Sequence, residues 1–170
     1  MKKTDLKLNK GDLLVHATHG IGEVMDICSR NIAGEETSCL EIKTSDLTYF
    51  LPIYDTNVHH IRHVSSSGNF KEALSTISST PGPISEDFRV RNTYINDEIA
   101  KGTLSSKAVL IRDMNCRNAK KGYDVNENTT LKRLKQQFVD EMMLACKLNR
   151  PSAQAKLDSA LQKSSNSPKP

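Results

Sequence analysis

Tryptophan is missing from this 170-residue chain, aromatic residues make up 5% and hydrophobic residues 36%. A chain so poor in large apolar side chains does not build one large interior, and two modest cores fit its length better. No run of about 18 apolar residues occurs, which argues against a membrane-spanning helix. Met1-Lys2-Lys3-Thr4-Asp5 is basic but has no apolar stretch behind it, so it does not read as a secretory signal. The four cysteines, Cys28, Cys39, Cys116 and Cys146, are irregularly spaced and form no C-x-x-C pair. With no signal peptide read, the expected compartment is reducing, and they read as free thiols. G-x-S-x-G, P-loop, G-x-G-x-x-G and H-E-x-x-H motifs are also absent, so the sequence offers no sharp enzyme hypothesis.

What is present divides into two textures. Residues 1–68 hold 7 Lys/Arg against 9 Asp/Glu, and residues 69–170 hold 17 against 11, so the net charge of +4 resides in the back half. That half could approach a polyanion, although a solvated helical surface gives the same count. The front half reads as short strands: Leu13–His16, Ile21–Asn31, Thr37–Thr44, Leu47–Leu51 and Ile61–Val64. Turns at Thr18-His19-Gly20, Ala33-Gly34-Glu35-Glu36 and Ser45-Asp46 separate the first four. Leu40 and Ile42 point to one side of their strand, and Cys39, Glu41 and Lys43 to the other. Pro52 ends the fourth strand because it lacks an N–H. Strands at this spacing indicate a small barrel.

From Ser65-Ser66-Ser67-Gly68 the period becomes helical. Phe70, Ala73, Leu74 and Ile77 form a first stripe, broken by Thr80-Pro81-Gly82-Pro83. Ser85 is the candidate N-cap of a second helix running to Gly102. A third covers about Leu104–Ala119. A fourth carries Leu131, Leu134, Phe138 and Met142 to about Leu148, and Pro151 opens a fifth. The class is α+β: a small β-barrel in residues 1–66, a compact all-helical domain of about five helices in 69–163, and a disordered tail in 164–170.

Five histidines invite a metal reading, with His16 and His19 completed by His59, His60 or His63. An i/i+3 pair on a strand points to opposite faces, however, and no cysteine lies at ligand spacing. A β-turn with His19 beside Gly20 is the structural reading.

Lys10-Gly11-Asp12, Val15 with His19-Gly20-Ile21-Gly22, Leu47 to Pro52 and Ile61-Arg62-His63-Val64 together resemble the CarD/CdnL family of bacterial transcription regulators. They also resemble the RNA polymerase-interacting module of transcription-repair coupling factors. Behind them, Arg91, Ile99, Ala100 and Gly102 are similar to that family's Arg-Tyr…Leu-Ala-Ser-Gly run. Arg112-Asp113-Met114 is similar to its Arg-Asp-Leu, and Gly122 through Glu127, Leu131 and Glu141 fit its later pattern. The resemblance spans roughly residues 10–163.

It implies a Tudor/SH3-like front module that binds the β lobe of RNA polymerase, and a helical domain that contacts promoter DNA at the upstream edge of the melted region. By position, the polymerase-contacting residues are Arg30 and Phe50. The DNA wedge falls on Phe88, and Arg89, Arg91, Lys132 and Arg133 lie on the DNA-facing surface. Arg112, Arg117, Lys120, Lys121 and Lys135 add positive charge. Departures are His16-Ala17 for Tyr-Pro, Phe50 for a second arginine and Phe88 for the wedge tryptophan. The expected partners are the polymerase β subunit and promoter DNA, with no membrane, cofactor or metal. The expected state is a cytoplasmic, nucleoid-associated bacterial monomer that stabilises the open complex. The alternative is an adaptor whose helical domain binds a protein instead of DNA.

Overall fold

Period-two alternation in the front half yields a sheet with one apolar face. In the computed structural model, which describes residues 7–54, 60–121 and 124–165, five strands form. They are β1 (Leu13–His16), β2 (Gly20–Ile32), β3 (Glu35–Lys43), β4 (Thr48–Pro52) and β5 (Ile61–His63). They pair antiparallel throughout, in the order β4-β3-β2-β1-β5. Edge strands β4 and β5 are not neighbours, so this is an open, barrel-like sheet. Pro52 lies within β4 instead of stopping short of it. On an edge strand its missing N–H breaks no ladder.

Leu14, Val24, Leu40, Ile42, Leu51 and Ile61 fill the core, with Leu8 over them and Tyr49 against them. Gly22 is required for closeness, because a Cβ there would stand 2.6 Å from Ile42 Cγ2. A bulge between Val24 and Asp26 shifts the register, so Ile27 falls opposite Leu40 and Cys28 opposite Cys39. The β2–β3 turn carries positive φ at both Ala33 (54°) and Gly34 (92°), the shape that matches strand twist in a two-residue hairpin. Asn31 Oδ1 accepts the Gly34 N–H at 3.0 Å.

The second unit begins at Ser65. Its helices are α1 (Ser67–Ser78), α2 (Phe88–Ala100), α3 (Leu104–Lys121), α4 (Val125–Cys146) and α5 (Arg150–Ser165). Ser66, where the period becomes helical, is the N-cap of α1 in a capping box with Asn69. The α2 cap is Asp87, two residues later than expected. Its Oδ1 accepts from Arg89 N and Val90 N, while the Ser85 carbonyl is taken by Arg91. Gly102 holds φ 65° just past α2, as a C′ glycine should. Helix α4 stops at Cys146, where Lys147 turns left-handed. Ser164 and Ser165 belong to α5, with Ser164 buried; 166–170 lie outside the described residues.

Helix α1 packs against α3, α4 and α5, and α2 packs on α3. Phe70 and Phe138 meet edge to face, with centroids 5.1 Å apart. Leu110, Ile111, Met114, Leu134, Met142 and Leu157 surround them. Two carboxylates inside this unit tie down loops. Glu141, fully buried, accepts the Ser65 N–H at 3.0 Å just ahead of α1. Asp113 accepts Gly82 N at 2.8 Å and is gripped by Arg112 through Nε at 2.6 Å, holding the Pro-Gly-Pro break against α3. The Arg-Asp element of the sequence is thus a loop anchor.

A left-handed alanine costs about 1–2 kcal/mol, and asparagine relieves part of that strain. Ala33→Asn should therefore raise stability by about 0.5–1 kcal/mol, and Ala33→Val should lower it. Urea unfolding of the full chain measures both.

Candidate partner-binding and nucleic-acid surfaces

The β2–β3 and β3–β4 ladders place Arg30 and Phe50 on the face opposite the core. The Arg30 guanidinium lies over the Phe50 ring, 3.6 Å from its centroid, a contact worth about 0.5–1 kcal/mol at an exposed site. The register shows what this stack covers. Cys28, Cys39 and Pro52 form one cross-strand row, with Arg30 one step beyond it on β2 and Phe50 one step before it on β4. An arginine reaching from one side of that row to a ring on the other passes over Cys39, which has no exposed surface although it faces away from the core. Phe50 thus supplies a platform for Arg30 where a second arginine would have repelled it. The two residues expected to share a partner surface touch each other.

In the helical unit, Phe88 is the first residue of α2 and is 54% exposed, with Val90 beside it at 58%. Its ring does not enter the core. Arg91, one turn on, is the opposite: 5% exposed and directed inward. Arg91 Nε donates to Glu127 Oε1 at 2.5 Å, and Nη1 donates to the carbonyls of Ser85 (3.0 Å) and Glu86 (2.9 Å). Arg117 Nη1 reaches the other Glu127 oxygen at 3.4 Å, and its Nη2 stands 3.9 Å from Glu86 Oε2. One carboxylate at the start of α4 therefore serves arginines from α2 and α3. The cluster fixes the 84–87 loop from which Phe88 emerges, and the Arg91 Cζ lies 5.7 Å beneath the Phe88 centroid. The expectation that Arg91 faces DNA is corrected: burial and a carboxylate partner make it the residue that positions Phe88.

The remaining basic residues sort by exposure. Arg89, Lys132 and Arg133 are exposed. Arg112 and Arg117 are mostly enclosed and paired, so their charge is spent internally. Lys135 donates to Asn115 at 2.7 Å, and burial lowers its pKa. The side chains of Lys120 and Lys121 lie outside the described residues. A groove of about 460 Å³ between α1 and α5 brings Lys71, Lys156 and Lys163 together with Ser75, Ser78 and Ser159, and no acidic residue lines it. Sequence reading missed this cluster because Lys71 and Lys156 are far apart in the chain. The available signal was the i/i+7 spacing of Lys156 and Lys163 on one helix face.

The turn after β1 does bring the rings of His16 and His19 together, with centroids 4.5 Å apart, and His60 lies 5.7 Å from His16. His16 Nδ1, however, accepts the backbone N–H groups of Thr18 and His19, at 3.1 and 3.3 Å. That nitrogen organises the turn. Among the described residues no group of three or more His, Cys, Asp or Glu side chains could hold a metal ion; His59 lies outside them. Burial, then the neighbouring His19 and His60, push the His16 pKa down to about 4. No helix among the described residues is long and apolar enough to cross a membrane.

The chain thus has two units: a β-sheet module carrying an arginine–aromatic pair on its outer face, followed by a helical module with an exposed phenylalanine at a pinned helix start. Residues 8–65 match the family model of the CarD-like/TRCF RID domain, and residues 72–158 match that of the CarD C-terminal domain. The chain belongs to the CarD family, whose members are RNA polymerase-interacting transcription regulators without enzymatic activity. Its front unit is the Tudor-like module of that family.

Removing Arg91 leaves the buried Glu127 carboxylate only its longer contact with Arg117. Arg91→Met should cost about 3–5 kcal/mol in urea unfolding, whereas Lys132→Ala should change stability by less than about 0.5 kcal/mol. Equal, small effects would return Arg91 to the surface. His16 is held below its ordinary value, so its contribution is complete above pH 6.5 and fades as pH falls toward about 4. His16→Asn keeps an acceptor for the turn but does not titrate. Parent and variant melting temperatures should therefore converge or cross as the pH is lowered through that window.

Proposed function

We propose that the protein binds the β subunit of RNA polymerase through the face carrying Arg30 and Phe50, and promoter DNA at the upstream edge of the melted region through its helical unit, stabilising the open complex. The reading rests on membership of the CarD family and on one observation above others. Phe88 stands out in solvent at a helix start whose loop is pinned by the Arg91–Glu127 pair. An exposed ring on a rigid corner suits insertion between base steps, since apolar wedges unstack and kink a duplex. Arg89, Lys132 and Arg133 supply sequence-independent attraction to phosphates. Such contacts form fully only on distorted DNA, so they shift the equilibrium between closed and open promoter toward the open state. No catalytic step is needed.

The adaptor reading has one observation in its favour. Val90 and Val125, exposed by 58% and 78%, extend the apolar character of the two pinned helix starts, as a protein-binding patch would. Salt separates the two readings, because phosphate contacts weaken steeply as salt rises.

Phe88→Ala should shorten open-complex lifetime about tenfold, in line with 1–3 kcal/mol per stacked base, and leave polymerase capture unchanged. Arg30→Glu should weaken capture itself. Lys132→Ala and Arg133→Ala should each reduce the salt slope of DNA binding by about 1. Equal lifetimes for Phe88→Ala and parent would remove the wedge. A helical unit that binds no DNA at low salt, even on polymerase, would establish the adaptor.

A further inference from the structure

We infer that Cys28 and Cys39 form a reversible thiol–disulfide pair whose closure alters the surface carrying Arg30 and Phe50; the partner of that surface rests on the polymerase reading above. Both cysteines are free thiols here, and they lie directly opposite each other on β2 and β3. The bulge between Val24 and Asp26 sets this pairing, since without the extra residue Cys28 would face a different neighbour. Directly opposed residues in an antiparallel pair have Cα atoms about 4.5–5.5 Å apart, inside the range of about 4.4–6.8 Å that a disulfide spans. Their Cβ atoms lie about 4.5–5.5 Å apart, against about 3.5–4.5 Å in a disulfide. Closure must therefore draw the strands together locally. A bond formed under such strain is readily reduced, which suits a reversible site better than a permanent staple.

Exposure orders the chemistry. Cys28 is partly exposed and Cys39 is buried. With a low-molecular-weight disulfide RSSR as oxidant, the Cys28 thiolate attacks one sulfur, forms Cys28–S–S–R and releases RS⁻, which takes up a proton. The Cys39 thiol then gives up its proton and attacks the Cys28 sulfur, forming the Cys28–Cys39 bond and expelling the second RS⁻. The protein loses two electrons and two protons, and RSSR becomes two RSH. The second attack needs Cys39 uncovered, and the Arg30–Phe50 stack is what crosses its row. Closure and stack therefore compete for the same space. A partner that clasps the stack should also shield Cys39 from oxidation, by the same factor that oxidation weakens the partner, as linkage requires.

The test uses the full chain in a Cys116→Ser/Cys146→Ser background, equilibrated with oxidised and reduced glutathione and followed by peptide mapping and by capture of RNA polymerase core enzyme. The expected result is a Cys28–Cys39 linked peptide that reverts in excess reduced glutathione. Cys28→Ser should abolish it, and Cys39→Val should leave only a mixed disulfide on Cys28. Capture should fall about two- to fivefold on oxidation, the value of one exposed cation–π contact. Circular dichroism separates these results from misfolding, and Cys39→Ala replaces Cys39→Val if the latter does not fold. Absence of the linked peptide in a folded chain overturns the pair, as does linkage with unchanged capture. If the reduced chain captures no polymerase, the partner reading fails instead, and formation and reversal of the linked peptide alone decide the redox pair.

Discussion

The buried pairing of Arg91 with Glu127 is the constraint on which the helical surface depends. Two charges less than a tenth exposed are expensive to take from water, and pairing and hydrogen bonding offset that cost. Glu127 accepts from Arg91 and Arg117, and Arg91 spends its remaining reach on the Ser85 and Glu86 carbonyls. The loop before α2 therefore has one seating. Helix α2 itself buries little beyond Arg91 and Ile95, so its first turn would otherwise be free to fray. An exposed phenylalanine there is held by polar geometry beneath it.

The two units use the same pair of residue types in opposite senses. In the sheet, a half-buried aromatic ring steadies an exposed arginine. In the helical unit, a buried arginine lies under an exposed ring. Each arrangement lowers the freedom of the group offered to a partner, so less entropy is lost on binding. In the proposed function the first presents charge to a protein and the second presents an apolar edge to unstacked bases. The same economy limits the surface expected to face DNA: Arg91, Arg112 and Arg117 build the domain, while Arg89, Lys132 and Arg133 are exposed.

Much of this was legible in the residues. Alternation at Leu40 and Ile42 and the stripe of Leu131, Leu134 and Phe138 gave strands, helices and core faces, because period reports directly on burial. Phe88 and Arg30 could be placed by resemblance, and both are exposed. What misled was charge. An arginine on a helix reads as surface, and nothing local to Arg91 announces a carboxylate 36 positions away. The start of α2 falls later than cap chemistry alone suggests for a related reason: the Ser85 hydroxyl accepts from Asp87 N and Arg91 claims its carbonyl. Alternation puts Cys39 on the side away from the core, yet its complete burial there goes with a β-bulge and a diagonal stack that periodicity does not encode.

The central claim is that the ring at position 88 meets DNA only when the promoter is open. A photo-crosslinking amino acid placed at that position, in complexes of the protein with polymerase and promoter, tests it most directly. The account predicts crosslinks to nucleotides at the upstream edge of the melted region, present in open complexes and absent from closed ones. Crosslinks confined to protein, or equal in both states, would contradict it.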